Sequence, residues 1–209
     1  MKIYLIRHGE TDWNKERRLQ GRKDIPLNEN GVQVAKLTAE SLSQVKFDKV
    51  YSSPLKRAFE TATLVTAGQY TIEKETRLLE IDFGVCEGAC SDLKCTDNPY
   101  VHAFFDNPGQ YQTPEGGESL EALCRRTGEF MQELIRNPAN AGKTILVCTH
   151  GTALQSILVT LKGKPLSEFW QGGAQRNCSV TILDVADGKV TIAQENVIYY
   201  DDALSTNLT

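Results

Sequence analysis

No apolar run in this chain reaches the roughly 20 residues that a membrane-spanning helix requires, so a helical membrane span is excluded. No charged segment followed by a long apolar stretch opens the chain, and a secretory signal peptide is not expected. An excess of positive charge is missing as well. The formal net charge is −4, which argues against a nucleic-acid or membrane-surface protein. The six cysteines (Cys86, Cys90, Cys95, Cys124, Cys148 and Cys178) form no paired C-x-x-C motif, so the spacing of Cys86, Cys90 and Cys95 gives little support for a metal or redox cluster. Cys124 and Cys148 fall in apolar runs, where free cysteine is commonly buried. Reduced thiols in a cytoplasmic protein are the expected state. There is no internal repeat, low-complexity segment or linker. Histidine is scarce, with three residues in 209.

What is present describes an ordinary globular chain, 40% hydrophobic and 24% charged, of a length suited to one α/β domain, 1–209. Strand-like apolar runs cover 2–7, 48–52, a short stretch near 71–75, and 144–149. Helical periodicity covers about 31–44, 54–67, 118–137 and 151–162, with a short helix near 166–170. Residues 178–185 and 189–198 form a closing hairpin turned by Asp187-Gly188. Alternating strands and helices predict a three-layer α/β domain, with a mainly parallel sheet covered on both faces. Residues 85–117 interrupt the pattern. They carry Tyr100, His102, Phe104, Phe105 and Tyr111 and close at Gly116-Gly117, the composition of an inserted lid-like segment or of a covering segment packed on the core. His102 is expected to make a structural or rim contact.

Two of the three histidines share one context. His8 follows Ile3-Tyr4-Leu5-Ile6-Arg7, and His150 follows Ile145-Leu146-Val147-Cys148-Thr149; each precedes glycine. In a parallel sheet both imidazoles emerge at the carboxyl edge, where ligands bind. Imidazole forms covalent intermediates as a nucleophile, and the guanidinium of Arg7 suits a phosphoryl group. A third unit ends at Ser52. Ser53-Pro54 reads as an N-cap and first helical position, with Arg57 in the first turn, where a helix start already favours anions. The bland reading of Lys56 is a solvated helix face.

Taken together, Arg7-His8-Gly9-Glu10-Thr11 with Trp13-Asn14, Gln20-Gly21, Pro26-Leu27 with Gly31, Ser52-Ser53-Pro54 with Arg57-Ala58 and Thr61-Ala62, Leu79-Glu80 with Phe83-Gly84 and Glu87-Gly88, and His150-Gly151 resemble the histidine phosphatase, or phosphoglycerate mutase-like, superfamily. The ordered set spans most of the chain. The resemblance implies that His8 becomes phosphohistidine, that Arg7, Arg57 and His150 form the cationic pocket, and that Glu80 gives and takes the proton. It also implies that Asn14 contacts phosphate and that Gln20 and Gly21 form the substrate rim. Thr152, two residues past His150, is counted with the substrate contacts. A protonated His150 beside two arginines would supply charge without a metal, and neither metal nor cofactor is expected. A backbone carbonyl is expected to hold one ring nitrogen of His8 so that the other faces phosphorus.

The sequence departs from the family at Cys86, where many relatives carry tryptophan, and this leaves the pocket wall there open. The compact chain and short polar end Ser205–Thr209 look closer to the broad-specificity phosphatases than to the cofactor-dependent phosphoglycerate mutases. The expected partner is a small phosphorylated metabolite: a phosphosugar, a phosphoglycerate or α-ribazole phosphate. No nucleic acid or membrane partner is expected, and homo-oligomerisation stays open. A mutase and a phospho-ligand binding module without catalysis are the alternatives.

Overall fold

The computed structural model describes residues 1–205, so the expected polar end beyond Ser205 lies outside the described residues. Six strands form one sheet: β1 (Lys2–Arg7), β2 (Lys49–Ser52), β3 (Ile72–Lys74), β4 (Thr144–Thr149), β5 (Val180–Ala186) and β6 (Lys189–Val197), in the order β3-β2-β4-β1-β5-β6. The neighbouring strands β3, β2, β4 and β1 are parallel to one another, and β5 runs antiparallel to β1 and to β6. The closing hairpin turns at Asp187 (φ 51°) and Gly188 (φ 74°), the left-handed pair that matches strand twist.

The helices are α1 (Asp12–Lys15), α2 (Glu29–Ser41), α3 (Lys56–Val65), α4 (Pro99–Asp106), α5 (Leu120–Arg136) and α6 (Gly151–Leu161). Alternating residues of each central strand feed different layers. Ile3, Leu5, Ile145 and Val147 pack with Phe130, Met131 and Leu134 of α5 and Leu154, Ile157 and Leu158 of α6. Tyr4, Ile6, Leu146 and Cys148 pack with Ala58, Ala62 and Val65 of α3. A strand buried on both faces has no polar side to alternate, which is why β1 and β4 read as unbroken apolar runs. The three layers expected from the sequence are therefore present. Among the described residues no helix is long and apolar enough to cross a membrane.

Three local readings are corrected. Helix α3 begins at Lys56 after Leu55, with no side-chain cap, rather than at Ser53-Pro54. The Ser53 hydroxyl is occupied instead by His150. The short helix α1, absent from the sequence reading, is fixed by a reciprocal cap between Thr11 and Asn14. Segment 85–117 contains α4, capped by Asn98 with Pro99 at its first position. Its residues Val101 and Phe104 are buried against Ile81, Phe83, Leu120, Leu123 and Phe169.

Candidate active site

Strand register assembles the site. Arg7 pairs with Thr149 across β1 and β4, so His8 and His150 leave the sheet side by side. Their ring centroids lie 5.1 Å apart. Ser52 pairs with Cys148, which brings Ser53 to the same edge. Parallel strands with matched ends thus place three sequence-distant turns around one point.

His8 is buried, and its ring orientation is set from both sides. Nδ1 lies 2.6 Å from the carbonyl oxygen of Gly9; an oxygen that can only accept requires the proton on Nδ1. Nε2 accepts from Arg57 Nε at 3.3 Å. The expected backbone carbonyl is therefore present, and it belongs to the next residue. Burial, then the charges of Arg57 and Arg7, push His8 well below its ordinary value of 6.5. Its lone pair is on Nε2, the atom held by Arg57.

Arg57 is fully buried, with Nη1 donating to Lys23 O at 2.7 Å and Nη2 to Gly21 O at 2.8 Å. Burial lowers its pKa to about 10, which leaves it a cation at neutral pH. Arg7 is buried too; Nη1 donates to Gln175 O, while Nε has no protein partner.

His150 is not the cation expected from the sequence. Burial, followed by the charges of Arg57 and His8, drives it well below 6.5. A second positive charge beside a buried guanidinium would be uncompensated. Its Nε2 lies 2.7 Å from Ser53 Oγ, and its Nδ1 is buried without a partner. The ring stands behind His8 and does not itself line the pocket.

The Glu80 carboxylate is gripped by the start of α6. Oε1 accepts from Ile81 N at 2.9 Å and Ala153 N at 3.0 Å, and Oε2 from Thr152 N at 3.1 Å. A helix start offers such N–H groups and a favourable dipole. The loop carrying Glu80 is held by Arg126 of α5, which donates to Arg77 O at 2.8 Å, Leu79 O at 2.7 Å and Glu80 O at 3.0 Å. The same guanidinium makes a two-pronged pair with Glu118, both contacts at 2.7 Å.

Arg7, His8, Asn14, Gln20, Gly21, Arg57, Glu80 and Thr152 all line one pocket of about 70 Å³. Asn14 accepts through Oδ1 from Thr11 N at 3.1 Å and from Asn177 Nδ2 at 3.4 Å. Both bonds use its oxygen, which frees its NH₂ for the pocket. Thr152 uses its backbone N–H on Glu80. Gly21 contributes its carbonyl to Arg57. The glycine at 31 permits a close approach: a Cβ there would sit 2.1 Å from Glu10 O, so α2 packs directly on the backbone of the loop that carries His8.

The sequence reading missed Arg18, Leu19, Phe83, Ser91, Trp170, Ala174 and Gln175 as lining residues. Phe104 and Phe105, flagged as part of the inserted segment, do reach the pocket. His102 does not, because both its nitrogens serve its own segment, at Thr96 O (2.8 Å) and Asp106 Oδ2 (3.1 Å). Cys86 stays off the pocket wall and is buried in the aromatic cluster around Phe104; Phe83, Phe104 and Phe105 make the wall instead. All six cysteines are free. No group of three or more His, Cys, Asp or Glu among the described residues is arranged to hold a metal ion.

A mainly parallel α/β sheet with two histidines and two arginines at its carboxyl edge defines a phosphoryl-binding class of protein. Residues 3–198 match the family model of the histidine phosphatase superfamily, branch 1, and the chain belongs to that family. It is 32% identical over 199 residues to phosphoserine phosphatase 1 of Hydrogenobacter thermophilus, covering 94% of this chain and 92% of that one. It is 38% identical over 160 residues to phosphoglycerate mutase-like protein 4 of Arabidopsis thaliana, covering 75% and 69%. The solved structure of Bacillus stearothermophilus YhfR superposes with a TM-score of 0.87 at 35% identity, over 95% of this chain and 98% of that one.

Proposed function

We propose that this protein is a phosphomonoesterase that works through a phosphohistidine on His8. The observation that carries this reading is the fixed tautomer of His8: Nδ1–H held by Gly9 O at 2.6 Å, with the Nε2 lone pair turned toward Arg57. A neutral imidazole aimed by its neighbours is a competent nucleophile at neutral pH.

Nε2 attacks phosphorus and the ester P–O bond breaks. The leaving alkoxide takes a proton from Glu80, and Glu80 then removes a proton from the water that hydrolyses the P–N bond. Both steps return the enzyme to its starting state. Arg7 and Arg57 stabilise the negative charge on the equatorial oxygens. His150 stays neutral behind His8, its Nε2 2.7 Å from Ser53 Oγ, and backs the phosphoryl site without lining it. The NH₂ of Asn14 adds a neutral donor. Gln20, Gly21 and Thr152 shape the surrounding rim. Two guanidiniums beside the histidines repel a divalent cation, and the reaction proceeds without a metal. The phosphoserine phosphatase named among the relatives supports a small phosphorylated substrate. Six free thiols fit a reducing compartment such as the cytoplasm.

The test is hydrolysis of an aryl phosphate in excess chelator. Steady phosphate release is expected. No release indicates a binding module, dependence on a bisphosphate primer indicates a mutase, and rescue by a divalent metal refutes metal-free catalysis.

A further inference from the structure

A second, larger chamber adjoins the phosphoryl pocket. It holds about 170 Å³, against about 70 Å³ at the phosphoryl end. Ser91, Phe105, Trp170 and Ala174 line both spaces, so the two adjoin along these four residues. A group carried on a phosphate at His8 and extending past the first pocket would meet this shared wall.

We infer that the group esterified to phosphate is flat and apolar, an aryl or fused-ring alcohol, and that this chamber is its subsite. The inference rests on the hydrolase reading above. Phe105 and Trp170 form one aromatic wall, with ring centroids 5.4 Å apart and planes inclined by 34°. The indole N–H is already committed to Phe104 O at 2.7 Å, so Trp170 offers the substrate ring surface and no donor. Leu93 extends the apolar lining.

The charged side chains lining the chamber pair with each other; the unpartnered Arg7 Nε, Gln20 Oε1 and Gln175 Oε1 belong to the phosphoryl pocket. Arg17, at the far end, is paired with Asp92 at 2.5 Å. Arg18, at the mouth, lies 4.3 Å over the ring of Trp13 and donates to Gly88 O at 3.0 Å and Glu16 at 3.2 Å. A zwitterionic group placed in the chamber would lose water against the aromatic wall without gaining an equivalent partner. A flat ring loses little and buries its faces.

The experiment compares kcat/KM for phenyl phosphate, 2-naphthyl phosphate and phosphoserine on the intact protein. The two aryl leaving groups are of similar acidity, so their ratio reads binding in the chamber. The fused ring adds about 50 Å² of apolar surface, worth about tenfold in favour of 2-naphthyl phosphate at about 25 cal/mol per Å². Phosphoserine is expected to be the poorest of the three. Leu93→Trp fills the chamber and should bring the naphthyl-to-phenyl ratio close to one. Phosphoserine outrunning both aryl esters, or a naphthyl-to-phenyl ratio near one in the parent protein, would overturn the inference while leaving the hydrolase reading intact. The parent ratio decides the matter even if the variant does not fold. Hydrolysis of none of the three would overturn the hydrolase reading and this one with it.

Discussion

His150 makes the stability of this protein sensitive to mild acid. Burial and the neighbouring guanidinium of Arg57 hold it neutral well below its ordinary value of 6.5. In the unfolded chain it protonates near that value. Above pH 6.5 both states are neutral and no penalty exists. As pH falls from 6.5 toward the folded value, the unfolded state gains a proton that the native state refuses, and stability is lost. Between pH 7.5 and 5.5 one such histidine costs on the order of 1 kcal/mol. His8 is lowered chiefly by the same burial and Arg57 charge, so the pair together costs about twice as much over that window. His102 works in the opposite sense, because Asp106 and Thr96 O raise it. The clean perturbation is therefore His150→Asn, with His8 and His102 present in both proteins. Asparagine retains an amide for Ser53 and cannot titrate. Urea unfolding followed by circular dichroism at pH 7.5, 6.5 and 5.5 gives the free energies. The variant should be less stable at pH 7.5 but should lose on the order of 1 kcal/mol less than the parent on going to pH 5.5. Parallel pH profiles would show that His150 titrates normally in the native state and would refute the reasoning.

Glu80→Gln keeps the side-chain shape, removes the transferable proton and leaves at least one of the backbone N–H donors around it without an acceptor. kcat should fall by about 10²–10⁴-fold with KM unchanged or lower, and an unchanged kcat for alkyl phosphates would remove Glu80 from the mechanism. Arg126→Lys replaces five contacts to the Glu80 loop and Glu118 by a point charge. Loss of about one charge-assisted hydrogen bond's worth of positioning predicts a roughly tenfold fall in kcat with KM held. Loss of thermal stability with kcat untouched would make Arg126 a purely structural residue. Gly31→Ala places a methyl 2.1 Å from Glu10 O, and backbone must move to accept it. A loss of about 1–3 kcal/mol in urea titration is expected, together with reduced turnover as the His8 loop shifts; wild-type stability would contradict the close approach.

The gathering of His8, Arg57 and His150 at one sheet edge was legible because the signals that place them are local. An apolar strand, a turn and a helix recur at His8, Arg57 and His150, and matched register in a parallel sheet brings equivalent ends together. Glu80 was legible through family order alone, since nothing in Leu79-Glu80-Ile81 announces that the first turn of α6 will hold its carboxylate. What stayed hidden depends on long-range placement. Trp170, Ala174 and Gln175 lie on a loop whose position is set by packing of Trp170 on Phe104, a contact between segments some 65 residues apart in the chain. The charge state of His150 was misjudged because burial cannot be read from a strand-end motif, and burial dominates its titration. Ser53 illustrates the same limit: its type and position suit an N-cap, yet a tertiary partner claims its hydroxyl. Helix α4 carried a readable Asn98-Pro99 start that the surrounding prolines and aromatics obscured.

The central claim is that His8 carries the phosphoryl group, and it is tested most directly by trapping the intermediate. The protein is mixed with an aryl phosphate, quenched in alkali within milliseconds, digested and sequenced by mass spectrometry. A phosphate that survives alkali, is lost in acid and maps to His8 is the predicted result, absent in His8→Ala together with turnover. Phosphate on a serine or an aspartate, or sustained turnover by His8→Ala, would contradict the account.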